Sequence, residues 1–249
     1  SYSKAVFRNK IKNMFLKIKG VFDRGGNDDY RLKPIDCLDI ANIIGENVVS
    51  GGVRRTAEMV LIDPRDQEAI NAKSNLYKKT EDGNWVIDLE IAHRQISNNS
   101  IYFTKKPSRD ELRRMLQAMR NSGEPGFVNQ QAASKRRDNF NTVNPCGEIL
   151  LDSNGLCNLT TVNIMSFVKD DATLDMSGLL RAMWLSARAA LRMTCLELEL
   201  ERWDTIQKRD RLLGCSITGW QDAMNAIGMG AADQARLLRT LREAVHAAG

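Results

Sequence analysis

The sequence is poor in the residues that build metal centres and disulfide scaffolds. Its 249 residues include two histidines and five cysteines, at 37, 146, 157, 195 and 215. The cysteine number is odd and no two form a Cys-x-x-Cys pair, so a zinc site or a disulfide framework is not expected. No apolar run approaches the ~18 residues that a membrane span requires. The opening Ser1 to Arg8 lacks the apolar core of a signal peptide. An initiator Met is absent too, so a processed or excised piece is expected. Together these absences imply a reducing cytoplasmic compartment, with no membrane partner and no protein-bound metal.

Charge of one sign is also missing from most of the chain. Lys plus Arg is 36 and Asp plus Glu is 31, for a net +5. Residues 1–33 carry nine basic and three acidic side chains, hence +6, which leaves −1 for everything after them. The basic excess therefore belongs to one end. A dedicated nucleic-acid binder would spread it along a whole face, so nucleic acid is not an expected partner. What is present is ordinary globular composition, 43% hydrophobic and 27% charged. That is enough chain for one large α/β domain or two small ones.

Periodicity divides the chain. Phe7, Ile11, Met14, Phe15, Ile18 and Val21 recur at helical spacing with lysines between them, so 5–22 reads as an amphipathic helix. A turn-rich connection ends at Pro34. A second helix is expected from Ile35 to Val49, broken by Ser50-Gly51-Gly52. Ala57 to Ile62 has strand length, and Asp82-Gly83 suggests a hairpin turn. Helix returns at 109–121. Later come two short apolar stretches, 149–151 and 159–164, then a helix expected from Met176 to Leu200. A strand at 212–217 and helices near 219–227 and 231–247 follow. Short strands alternating with long helices indicate an α/β layer or barrel. The expected organisation is a single region over 1–249: a basic helix and connection at 1–34, then 35–140, then 141–249.

The stretch that carries chemistry is Asn144-Pro145-Cys146-Gly147-Glu148, followed eleven residues after Cys146 by Cys157-Asn158-Leu159. A cysteine usually just packs, and Cys37 and Cys195 sit in helical apolar patterns that suit that role. Cys146 has polar neighbours instead. In an extended or tight-loop segment, two-residue alternation would aim Asn144, Cys146 and Glu148 the same way, converging an amide, a thiol and a carboxylate.

Asn144 to Glu148 resembles the active-site signature of the ribonucleotide reductases, and the step to Cys157 resembles the adenosylcobalamin-dependent (class II) branch. Gly45-Glu46-Asn47-Val48-Val49-Ser50-Gly51-Gly52-Val53-Arg54-Arg55-Thr56-Ala57-Glu58 and Ser97-Asn98-Asn99-Ser100 agree with that family. Gly214-Cys215-Ser216-Ile217-Thr218-Gly219 is similar to a later barrel strand of it. The resemblance runs from about residue 30 to 228, in the family's order, and implies an incomplete portion of a ten-stranded α/β barrel.

The resemblance also implies roles. Cys146 matches the residue that becomes a thiyl radical and removes the ribose 3′ hydrogen. Glu148 matches the base for the 3′-hydroxyl, and Asn144 the amide that orients the substrate hydroxyls. Cys157 matches one of two cysteines that supply reducing equivalents and end as a disulfide. Ser50, Gly51, Gly52, Val53, Arg54 and Arg55 match the loop between a nucleoside triphosphate effector and the substrate base. A helix end with exposed arginines is the plainer reading of those six residues. The implied cofactor is adenosylcobalamin, and the implied reductant of the complete enzyme is thioredoxin-like. Cys37 stands too close to Gly51 to be the second redox cysteine. That cysteine, the phosphate-binding turn and the remaining barrel portions are expected outside this sequence, as in a fragment or split subunit. The rival is a catalytically inactive allosteric or assembly module descended from such an enzyme.

Overall fold

A computed structural model describes residues 2–26, 29–48 and 56–248. The chain divides into two compact units, 1–151 and 152–249.

In the first unit the lysine-punctuated apolar repeat forms α1 (Tyr2–Asp23), the longest helix described. It is followed by α2 (Pro34–Asn47), which begins with Pro at a first-turn position, where a missing N–H costs nothing. Ile35, Leu38 and Ile43 of α2 are buried, as is Val21 of α1. Phe7 and Phe15 are not: each is more than 60% exposed, so the α1 stripe is only partly covered. Next come β1 (Glu58–Ile62), α3 (Gln67–Ile70), the hairpin β2–β3 (Tyr77–Lys79 and Trp85–Ile87) and a 3-10 turn at Ala92–Gln95. Then follow β4 (Ser97–Phe103), α4 (Arg109–Ser122), β5 (Gly126–Asn129), α5 (Gln130–Ser134) and the short hairpin β6–β7 (Thr142–Val143 and Leu150–Leu151). Gly83, at positive φ, turns the β2–β3 hairpin where Asp82-Gly83 suggested. Ser108 and Glu111 cap α4 reciprocally, and Gly123 ends it in the left-handed region.

The centre of this unit is a three-stranded parallel sheet in the order β1-β4-β5. Alternation splits β4 between two faces. Ile101 and Phe103 pack with Ile62, Ala69, Ile70, Met115 and Ala118 beneath α3 and α4. Tyr102 faces the other way, with Met59, Leu61 and Val128, onto Ala133, Phe140, Val143 and Leu150. The β6–β7 hairpin is thereby seated on the second face of the sheet.

The second unit pairs β8 (Asn158–Asn163) with β9 (Leu213–Thr218) in parallel, Thr160 opposite Cys215. A 3-10 turn (Ile164–Phe167), α6 (Met176–Met193), α7 (Glu201–Asp210), α8 (Trp220–Ile227) and α9 (Ala231–His246) complete it. Ile164, Leu179, Met183, Ala223, Met224, Leu237 and Leu241 form its core, with Val162, Cys215 and Ile217 packed against them. The helix expected to reach Leu200 ends at Met193. There the Thr194 hydroxyl donates back to the Leu191 carbonyl (2.7 Å), and Arg211 donates to Thr194 Oγ1 (3.1 Å) and to its carbonyl (3.4 Å). A side chain that competes for the helix's own carbonyls, backed by an external cation, terminates the run.

The strands form open sheets, and no closed barrel is present among the described residues. No described helix is long and apolar enough to cross a membrane. No described group of three or more His, Cys, Asp or Glu side chains is placed to hold a metal.

Candidate active site

Six residues, 144–149, join β6 to β7. Asn at the first position, Pro at the second and Gly at the fourth is the residue signature of a type I turn. The Gly147 N–H donates to the Asn144 carbonyl (2.9 Å), which closes that turn. Gly147 has φ 85°, a left-handed conformation that glycine adopts without a Cβ penalty. Asn144, only 8% exposed, fastens the rest of the loop. Its backbone N–H donates to Ile149 O (3.3 Å), and its Oδ1 accepts from the Ile149 N–H (2.9 Å). Among the described residues nothing accepts from the Asn144 Nδ2, so that amide keeps its donors.

Cys146 occupies the third position of the turn, at its corner, and is exposed; Glu148 is exposed two residues on. The turn replaces the two-residue alternation expected over 143–148. The thiol and carboxylate share the solvent-facing end of the hairpin, while the Asn144 oxygen folds inward. Among the described residues no hydrogen bond links the three side chains. An exposed thiol at a tight corner, an exposed carboxylate two residues on and an amide donor at the base offer a reactive sulfur, a proton acceptor and a hydrogen-bond donor within one short loop.

The hairpin is tethered from below. Asn98 of β4 lies on the face that carries Tyr102, and its Nδ2 donates to the Pro145 carbonyl (2.6 Å). Tyr102 itself stacks on Phe140, with ring centroids 6.1 Å apart. In the sequence, Ser97-Asn98-Asn99-Ser100 stands only as a motif shared with the family, with no role marked for Asn98. The available signal was a polar run heading an apolar segment, Ile101-Tyr102-Phe103, of strand length.

A cavity of about 830 Å³ opens at the carboxyl ends of β1 and β4, lined by Arg65, Tyr102, Lys105, Lys106 and Asn141 among others. Cys146 and Glu148 are not part of its lining. The hairpin tether, by contrast, meets β4 near its amino end.

Cys157, in the second unit, directly precedes β8 and is half-buried. Alternation sets it on the side of Leu159, Thr161 and Asn163, all exposed, and opposite Thr160 and Val162, which face α6 and the core. Cys215 belongs to the packed side, with Thr160 Oγ1 3.7 Å from its sulfur. Cys37 and Cys195 are exposed rather than packed. Cys37 lies on the solvent side of α2. Cys195 lies past the end of α6, where Arg211 Nη1 reaches its sulfur (3.2 Å). Ser50, Gly51, Gly52, Val53, Arg54 and Arg55 lie outside the described residues.

A family model for the barrel domain of ribonucleotide reductase matches residues 53–245. The adenosylcobalamin-dependent ribonucleoside-triphosphate reductase of Lactobacillus acidophilus is 31% identical over 231 residues, covering 88% of this chain and 28% of that protein. Its namesake in Lacticaseibacillus paracasei is 32% identical over 202 residues, covering 77% of this chain and 25% of that protein. The Lactobacillus helveticus enzyme of the same name is 29% identical over 231 residues, 88% of this chain and 28% of its own length. The chain thus spans about a quarter of the length of the curated relatives it matches. With its open α/β sheets and the Asn144–Glu148 hairpin, the chain belongs to the ribonucleotide reductase family and forms an incomplete portion of that family's barrel.

Proposed function

We propose that this chain supplies the radical-cysteine hairpin and one reducing thiol of an adenosylcobalamin-dependent reductase. The enzyme would convert ribonucleoside triphosphates to 2′-deoxyribonucleotides. The observation that carries this reading is the β6–β7 turn, which holds the Cys146 thiol at an exposed corner with Glu148 beside it. The triphosphate is preferred over the diphosphate because the similar proteins are named for it.

Each residue then has a defined task. The Cys146 sulfur, as a thiyl radical, takes the hydrogen atom from ribose C3′ to become S–H, and at the end returns a hydrogen atom to C3′, which restores the thiyl radical. The Glu148 carboxylate accepts the 3′-hydroxyl proton, which eases departure of the 2′-hydroxyl as water. The Asn144 Nδ2 donates to the substrate hydroxyls and orients the ring. Cys157 and a second cysteine outside this chain give up two electrons and two protons and join as a disulfide. The overall balance is ribonucleotide plus dithiol giving deoxyribonucleotide, disulfide and water. Adenosylcobalamin supplies the initiating radical when bound, and that chemistry is the cofactor's own. Exposure of Cys146 suits approach by a bulky partner, but the 830 Å³ cavity lies at the other end of the strands. The chain is therefore assigned the thiol, and none of its residues is assigned to hold the cofactor.

The same reading makes residues 50–55 the loop that couples a nucleoside triphosphate effector to substrate choice. It makes a thioredoxin-like protein the final reductant, the remaining barrel portions obligate partners, and the cytoplasm the compartment of deoxyribonucleotide supply for DNA replication. Mixing the chain with the remaining portions of a relative's barrel, cofactor, dithiol and a ribonucleoside triphosphate tests it. Deoxynucleotide formation that depends on this chain is the expected result. No product from a mixture that assembles, as judged by co-elution, would favour the inactive assembly module.

A further inference from the structure

The polar head of β4 is costly and its use is specific. A central parallel strand is ordinarily an apolar run. Here Ser97 is fully buried, Asn99 is 4% exposed and Ser100 is 8% exposed. Buried polar groups destabilise unless they are hydrogen-bonded, and Ser97 and Asn99 are bonded from several elements at once. The Ser97 N–H donates to Asn42 Oδ1 of α2 (2.8 Å), and Ser97 Oγ donates to Asn99 Oδ1 (2.8 Å). The buried Lys73 ammonium donates to the Ser97 carbonyl and to Glu124 Oε2 (2.8 Å). The same Glu124 oxygen accepts from the Asn99 N–H (2.8 Å). The backbone is thus pinned on both sides of Asn98. Asn98 turns to the opposite face, the one that also carries Ser100 and Tyr102, where its amide meets the Pro145 carbonyl at 2.6 Å.

That carbonyl belongs to the peptide plane shared by Pro145 and Cys146. Fixing it fixes the Cys146 nitrogen and Cα, and with them the direction in which the thiol leaves the chain. We propose that Asn98 is a positioning residue for the Cys146 thiol, acting through the Pro145 carbonyl from a strand segment immobilised by Lys73, Glu124 and Asn42. The inference rests on the reading of Cys146 as the hydrogen-abstracting thiol. A misplacement of about 1 Å can cost on the order of 100-fold in rate without loss of binding.

The test uses the full-length reductase carrying Asn98→Ala and, separately, Asn98→Asp. The second variant keeps the side chain's size but sets an acceptor against the Pro145 oxygen. For folded protein, kcat should fall roughly 10- to 100-fold with KM for the ribonucleotide changed less than about twofold. The rate of Cys146 alkylation by iodoacetamide should change in both variants, while that of the exposed Cys37 stays constant. A merely structural role would lower the unfolding temperature yet leave kcat per folded molecule and the Cys146 alkylation rate unaltered, and that result would overturn the inference. Should Asn98→Ala fail to fold, Asn98→Asp decides the matter by the same two readouts. Cys146→Ser distinguishes the two levels. If it is inactive while both Asn98 variants turn over normally, only the positioning role fails. If it is active, the reading of Cys146 fails with it.

Discussion

In the complete enzyme, Cys146→Ser is expected to abolish both deoxynucleotide formation and the release of tritium from a 3′-tritiated ribonucleotide. An alcohol O–H bond is much stronger than a thiol S–H bond, so an oxygen radical is not formed reversibly at this position. The loss should exceed roughly 1,000-fold, the scale seen when a group that acts on the reacting atoms is removed. Cys157→Ser should separate the two readouts. Hydrogen abstraction at C3′ needs no reductant, so tritium release should persist while net reduction collapses for want of one thiol. Glu148→Gln should fall between them, lowering turnover by roughly 100-fold or more as a lost proton acceptor does. Tritium release that survives in Cys146→Ser and vanishes in Cys157→Ser would mean the two sulfurs have been given each other's roles. Parallel, modest losses in all three variants would mean that the cysteines simply pack.

The second large effect concerns stability, and Asp39 is its source. This carboxylate is fully buried on α2. Arg94 donates to it from Nε (2.6 Å) and Nη2 (2.9 Å), Arg24 from Nη1 (2.7 Å), and His93 Nε2 lies 2.9 Å away. Burial pushes its pKa up, but the hydrogen bonds from Arg94, His93 and Arg24 outweigh that and hold it far below the usual carboxylate range. Removing one partner of a buried ionic cluster strands the others, so Asp39→Ala should destabilise the first unit by roughly 3–5 kcal/mol. The pH dependence has a definite sign. A carboxyl with a depressed folded pKa contributes fully above its unfolded pKa of about 3.9, and the contribution is lost as pH falls towards the folded value. Thermal unfolding of the wild type and of Asp39→Asn should therefore differ most above about pH 5 and converge in stronger acid. A gap that widened on acidification would refute this assignment of charge.

Which parts of the fold could be read from sequence follows from where the signal was local. α1, α2, α4, α8 and α9 were legible because apolar residues recur at helical spacing between turn residues, and their bounds fall within a few residues of those expected. β4 was not legible as a strand. Ser97-Asn98-Asn99-Ser100 looks like loop, and only contacts with Asn42, Lys73 and Glu124, distant in sequence, make its burial tolerable. α6 was read too long because Leu196 and Leu198 continue the spacing, whereas the Thr194 hydroxyl and the Arg211 cation stop the helix. At the Asn144–Glu148 segment, the turn-forming residues were legible and the directions of their side chains were not. Asn-Pro-Cys-Gly encodes a turn, which brings Cys146 and Glu148 to the exposed end and draws the Asn144 oxygen inward. The tether from Asn98 depends on strand register, which no local pattern contains.

The division of labour between the two sulfurs can be read chemically after a limited number of turnovers. The complete enzyme, reduced and freed of dithiol, is given ribonucleotide and cofactor, quenched in acid, alkylated and mapped by mass spectrometry. The expected result is that Cys157 is recovered in a disulfide in proportion to the deoxynucleotide formed, while Cys146 is recovered as an alkylated free thiol. Cys146 found in the disulfide, or deoxynucleotide formed with Cys157 still free, would contradict the account.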